Sequence, residues 1–168
     1  MPRPFDVSAE TPASVEAVHS AFTHERYWLA RLAAFGGDSM ALDSLTIDAD
    51  GTVAVATTQD LRHELLPGPL AKVFRGDLKV VREETWRPSD GDAVRGEVNI
   101  TAFGAPVSGV GTAVLAPIAR GSRLTFTGTV EVRVPLVGGA IEKYIGAQIV
   151  EQIPEVQRFT TVWIAEHG

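Results

Sequence analysis

Arg82 and Glu84 are the residues in this chain best placed by type and spacing to do chemistry. They stand two apart in the run Leu78–Trp86, which reads as a β-strand, and residues two apart in a strand share a face. That face also carries Leu78, Val80 and Trp86. With this face inward, a guanidinium and a carboxylate lie beside the interior, where burial demands that they pair. Such a pair can orient a polar group of a ligand or take part in proton transfer. With Lys79, Val81, Glu83 and Thr85 inward instead, the pair belongs to solvent. Both phases are open on the sequence. Tyr144, beside Ile145, is the one further acid–base candidate, and the three together form the minimum set for a cyclase- or dehydratase-type enzyme.

Other chemistry lacks its spacing. The histidines are His19, His24, His63 and His167, and His63-Glu64 has no second histidine one helical turn on. Asp48-x-Asp50-Gly51 resembles the start of a calcium loop, but Val53 and Gln59 stand where glycine and glutamate are needed. Gly109-x-Gly111 lies within strand alternation and opens no helix, so it is not a dinucleotide loop. Ser108 has Pro106 in place of the first glycine of a nucleophile elbow. Gly138-Gly139 precedes a helix and offers N–H groups to an anion, but a strand-to-helix corner explains it equally well. No catalytic residue, metal or cofactor is assigned.

The 168 residues suffice for one domain, 1–168, with a full core. Apolar residues make up 45% and charged residues 21%, a globular balance. The net charge of −6 disfavours nucleic acid as a partner. No basic amphipathic helix or long apolar run points to stable membrane insertion. There are no cysteines, which excludes disulfides and thiolate chemistry and agrees with a reducing compartment. The first ten residues lack the apolar core of a signal peptide, and the expected location is cytoplasmic.

The elements that must position these residues are mainly strands. Residues 3 to 9 read as a first strand. Thr11-Pro12 reads as a helix start, with Thr11 as N-cap and Pro12 at the first helical position. Thr23 reads as the cap of a second helix carrying Tyr27, Trp28, Leu32 and Phe35, stopped by Gly36-Gly37. Strands are expected at 42–48, 52–59, 77–87, 93–103, 107–117 and 122–134. Asp50-Gly51 marks a tight hairpin. Residues 60–76 form an apolar loop around Pro67-Gly68-Pro69, with room for one helical turn.

The longest signal is C-terminal. Ile141, Ile145, Ile149, Ile153, Val156, Phe159 and Trp163 recur at steps of four and three, one face of a helix from Gly138 to Glu166. At 1.5 Å per residue it spans about 40 Å. Pro154 falls inside it, and a kink is expected because the stripe keeps phase beyond the proline. Strict alternation at 93–101 and 123–133 gives each strand one wet and one dry face, and the helix is the natural cover for the dry side. Gly96, Gly109, Gly111 and Gly128 fall on that dry side. Glycine there bends a sheet or leaves room for a ligand. A bulky residue at Gly128 is then expected to hinder ligand uptake without harming the fold.

The order of strand, two short helices, about six strands and one long helix resembles the helix-grip fold of the START-like superfamily. That superfamily includes lipid-transfer domains, polyketide cyclases and birch-pollen-type allergens. The segment Val134-Pro135-Leu136-Val137-Gly138-Gly139-Ala140-Ile141-Glu142, passing directly from strand to long helix, is similar to an uncharacterised actinobacterial branch. The resemblance implies an α+β fold, a curved antiparallel sheet of about seven strands wrapped around the C-terminal helix, and a cavity between them. The implied function is non-catalytic binding or transport of a hydrophobic or amphipathic small molecule, lipid- or polyketide-like. The alternatives are the enzyme above and a protein-interaction module. The expected ligand-lining residues are Trp28, Val80, Arg82, Glu84, Val98, Ile100, Phe126, Gly128, Tyr144, Ile145 and Ile149.

Overall fold

The computed structural model describes residues 2–167. Seven strands form one antiparallel sheet: β1 (Arg3–Thr11), β2 (Met40–Ile47), β3 (Val53–Leu61), β4 (Leu78–Pro88), β5 (Val94–Phe103), β6 (Val107–Ile118) and β7 (Gly121–Val132). Their spatial order is β1-β7-β6-β5-β4-β3-β2. Helices α1 (Val15–Phe22) and α2 (Glu25–Gly36) follow β1, the short α3 (Gly68–Val73) lies between β3 and β4, and α4 (Gly138–His167) ends the chain. This is the α+β helix-grip architecture expected from the pattern. The apolar loop at 60–76 contains a 3₁₀ turn at His63–Leu65 as well as α3.

Local signals explain most boundaries. Gly51 takes φ 88° in the β2–β3 hairpin, and Thr52 N donates to Asp50 Oδ1 at 2.9 Å. That bond holds the Asp50 carboxyl below its ordinary range. Gly37 closes α2 with φ 57°. Leu136, fully exposed with φ 71°, turns the chain from β7 into α4. There Gly138 is required, since a Cβ would lie 2.5 Å from Val132 O. α4 continues as one helix through Pro154.

Two expected helix caps are corrected. Thr11 is the last residue of β1, paired with Ser122 of β7. Its hydroxyl accepts from Ala13 N and bonds Thr161 of α4 at 2.5 Å. The ladder to β7 and the tie to α4 hold it in the sheet, and Ser14 caps α1 by accepting from Ala17 N at 3.0 Å. Thr23 is the C-cap of α1, its hydroxyl donating to Ser20 O, while His24 precedes α2 without a side-chain cap.

Register explains the interior. One continuous inner row crosses the whole sheet: Phe5, Gly128, Gly111, Val98, Glu84, Val55 and Leu45. The next row contains Phe126, Ala113, Gly96, Trp86 and Val53. Each glycine in these rows faces an aromatic ring. A Cβ on Gly96 would lie 2.5 Å from the Trp86 ring, one on Gly111 2.6 Å from Phe126, and one on Gly128 2.9 Å from Phe5. Phe5 and Phe126 stack at 5.5 Å between centroids. The room left by glycine is therefore largely taken by the protein's own rings.

The expectation that Gly128 tolerates a bulky residue is overturned. A Cβ there also lies 2.3 Å from Val110 O and 2.9 Å from Gly111 Cα, and backbone cannot step aside cheaply. Gly128→Val should destabilise the fold by about 2–3 kcal/mol, as overpacked interiors do. Chemical denaturation of the two proteins checks this, and equal midpoints would contradict the packing described here.

Candidate functional site

α4 lies across the inner face, and beneath it is an apolar cavity of about 70 Å³. Its floor is Val98 and Ile100 of β5, with Gly109 and Gly111 of β6. Phe5, Phe126 and Val130 wall one side, and Ile145, Ile149 and Ile153 of α4 form the roof. Arg82 brings the charged group of the lining. The volume is several times the roughly 10–15 Å³ needed for one water, but well below the roughly 300 Å³ of a site for a drug-sized ligand. A larger guest requires the α4 isoleucines or the two stacked phenylalanines to move.

Arg82 and Glu84 point inward, which settles the phase left open by the sequence. β4 buries Leu78, Glu84 and Trp86, and exposes Lys79 and Glu83. Glu84 is only 3% exposed. Arg82 Nε lies 2.9 Å from Glu84 Oε2, and Trp86 Nε1 donates to Glu84 Oε1 at 3.1 Å. The Arg82 N–H is not aimed along that line, so the contact is an ion pair rather than a directed hydrogen bond.

Arg31 of α2 completes the group. It stacks 4.9 Å over the Trp28 ring, and its Nη1 donates to the Tyr27 hydroxyl at 3.4 Å. That hydroxyl lies 2.6 Å from Thr160 Oγ1, which spends its own proton on Val156 O. Tyr27 is therefore the donor to Thr160 and accepts from Arg31. Burial pushes the Glu84 carboxyl upward, but Arg82, then Arg31, then the Trp86 N–H outweigh it and hold it below the carboxylate range. For Arg31, burial opposes the charge, and Tyr27 and Glu84 more than offset it.

These groups line a second, smaller void of about 20 Å³. Arg82, Phe126 and Ile153 belong to both spaces, so the polar void adjoins the apolar cavity.

Of the residues expected from sequence, Arg82, Val98, Ile100, Phe126, Ile145 and Ile149 come together on the cavity. Glu84 lines the polar void. Trp28 does not reach either space. It is 1% exposed and gives its indole N–H to Phe22 O at 2.8 Å, a core position. Val80 is on the inner face of β4, but the lining stops at Arg82. Gly128 is shielded by Phe5. Tyr144 lines an open groove with Gln59, Leu65 and Leu70 on the β3–α3 side of α4, so it is not in one site with Glu84. Sequence reasoning missed Phe5, Arg31 and Gln157. Phe5 had a signal, the alternation of Phe5, Val7 and Ala9 with Asp6, Ser8 and Glu10, which places it on the inner face of β1. Arg31 and Gln157 are polar residues on helices, where solvent is the usual neighbour, and their only signal was the helical spacing of Tyr27–Arg31 and Ile153–Gln157.

Among the described residues, no group of three or more His, Asp and Glu side chains is arranged to hold a metal ion. Nor is any helix among the described residues long and apolar enough to cross a membrane.

The fold and the cavity beneath α4 define a helix-grip protein. The chain belongs to the family described as protein of unknown function DUF2505, whose model matches residues 6–164. It is 43% identical to uncharacterized protein Rv0481c of Mycobacterium tuberculosis and to uncharacterized protein Mb0491c of Mycobacterium bovis, over 99% of both chains in each case. Among solved structures it is similar to TTHA0849 from Thermus thermophilus, with a TM-score of 0.58 at 15% identity over 99% of each chain. Norcoclaurine synthase from Thalictrum flavum, solved with dopamine and hydroxybenzaldehyde, matches with a TM-score of 0.51 at 14% identity, over 100% of this chain and 89% of that one. Ara h 8.0201 matches with a TM-score of 0.51 at 12% identity over 99% of each. At these identities the structural likeness is one of fold.

The Glu84 ion pair gives a pH signature. A carboxyl held low in the fold stabilises it above the ordinary carboxylate value of about 4.3, and the contribution is lost as pH falls through the lower folded value. Glu84→Gln leaves two guanidinium groups without their anion. It should cost about 3 kcal/mol at neutral pH, the low end for a broken buried pair because Arg82 keeps some solvent. The gap between wild type and variant should close as pH drops from about 5 toward 3. A gap independent of pH, followed by denaturant melts, would show that Glu84 is not the buried anion.

Proposed function

We propose that this protein binds a hydrophobic or amphipathic small molecule, lipid- or polyketide-like, between the sheet and α4, as a START-like carrier rather than an enzyme. The observation that carries this reading is the apolar cavity roofed by Ile145, Ile149 and Ile153 and bordered at one point by Arg82. Binding sites of this kind are mostly apolar with a few placed polar groups. The likeness in fold to norcoclaurine synthase, solved with two small aromatic molecules, supports the coarse reading of a ligand-holding fold.

The catalytic alternative finds less support. A general acid or base works best with a pKa near the working pH, whereas Glu84 is held as an anion between Arg82 and Arg31. Tyr144, its expected partner, lines an open groove with Gln59, Leu65 and Leu70 and not the void that Glu84 lines.

Ile149 is the residue on which to test the reading, because it lines the cavity and is only half-buried on α4, so a larger side chain has room to be accommodated. Ile149→Trp should weaken binding of the neutral probe N-phenyl-1-naphthylamine roughly tenfold, about 1.4 kcal/mol, while the melting temperature moves only a few degrees. Fluorescence titration measures it. Undiminished affinity in a folded variant would place the binding site elsewhere.

A further inference from the structure

We infer that the void at Arg82 is an anion subsite, and that the preferred guest is a monoanionic amphiphile: a carboxylate head at the void with an apolar body in the adjoining cavity. This rests on the hydrophobic-binding reading above and adds the chemistry of the head group.

The ionisable groups lining the void are Arg31, Arg82 and Glu84, two cations and one anion. Glu84 is paired with Arg82 at 2.9 Å and lies within the field of Arg31, so the void carries one positive charge more than negative, on guanidinium groups that are only partly shielded from water. Uncompensated charge away from water is costly, and a single negative group from a ligand removes that cost.

A buried hydrogen-bond donor at the void lacks an acceptor. Gln157, 4% exposed, has a side-chain N–H₂ with no partner, whereas Arg82 Nε faces Glu84 Oε2 at 2.9 Å. Both Glu84 oxygens already face donors, Oε1 toward Trp86 and Oε2 toward Arg82. The Tyr27 hydroxyl is committed to Thr160 and is filled from behind by Arg31. Buried donors without acceptors are rare in folded proteins and mark a place for a water or a ligand atom. At about 20 Å³ the void admits one group of that size.

The void shares Arg82, Phe126 and Ile153 with the apolar cavity, so one molecule can occupy both. A carboxylate supplies the missing charge and two acceptor oxygens at once. A neutral carbonyl supplies only acceptors, and an ammonium group would face two guanidinium groups and an orphan donor.

The test uses octanoate and methyl octanoate, matched in chain and differing in charge, each displacing N-phenyl-1-naphthylamine from the full-length protein at neutral pH. Octanoate should bind at least tenfold tighter than the ester. Gln157→Leu, which removes an unpaired buried donor and so should not harm folding, should lower octanoate affinity more than that of the ester, since a carboxylate is the stronger acceptor. Arg82→Met should bring the ratio of the two affinities close to one. Because the readout is a ratio, partial loss of folded protein in Arg82→Met does not mimic the effect, and Gln157→Leu stands alone if that variant fails to fold. Equal affinities in wild type, or an acid preference that survives undiminished in Gln157→Leu and any folded Arg82→Met, would overturn the anion subsite. The neutral probe would still bind in that case, and the hydrophobic-binding reading would stand. If the probe itself does not bind, both readings fall.

Discussion

The dry face of the sheet is built from aromatic rings laid on glycines. Trp86 lies over Gly96, Phe126 over Gly111 and Phe5 over Gly128. Each pair sinks a large ring to the level of the backbone, and Phe5 and Phe126 then stack on one another. This lets the sheet keep a dry face without filling all the space beneath the helix. The cavity is what remains between the stacked rings, the small residues of β6 and the isoleucines of α4. Removing the glycines would push the rings upward into that space, so fold and cavity depend on the same contacts.

The polar cluster depends on the same geometry. Trp86 reaches Glu84 because its ring lies flat over Gly96, with the indole N–H directed along β4. Arg31 reaches the cluster because α2 packs Tyr27 and Trp28 into the core, each at most 1% exposed. Tyr27 then ties α2 to α4 through Thr160. A buried carboxylate held between two guanidinium groups is a poor proton carrier but a good fixed charge.

Much of this was legible in the chain. The alternation at 93–101 and 123–133, the stripe from Ile141 to Trp163 and the turn at Asp50-Gly51 each state a local rule that the fold obeys. Val98, Ile100, Phe126, Ile145 and Ile149 followed directly from facing. The phase of β4 did not, because both of its faces mix charged and apolar residues, and only pairing with β3 and β5 decides it. Thr11 and Thr23 misled because a threonine hydroxyl serves a strand end or a helix C-terminus as readily as an N-cap. A glycine shows that a side chain is missing, not which ring occupies its place. Gln157 and Arg31 were invisible as site residues, since nothing local distinguishes a helix residue that faces a void from one that faces water.

The central claim is that the space beneath α4 receives a small molecule. Native mass spectrometry of freshly purified protein, followed by organic extraction and identification of what is released, tests it most directly. The account predicts a defined adduct that leaves on denaturation and yields an amphiphile, in the same stoichiometry across preparations. A clean mass of the bare chain, unchanged after incubation with excess octanoate or N-phenyl-1-naphthylamine, would contradict it.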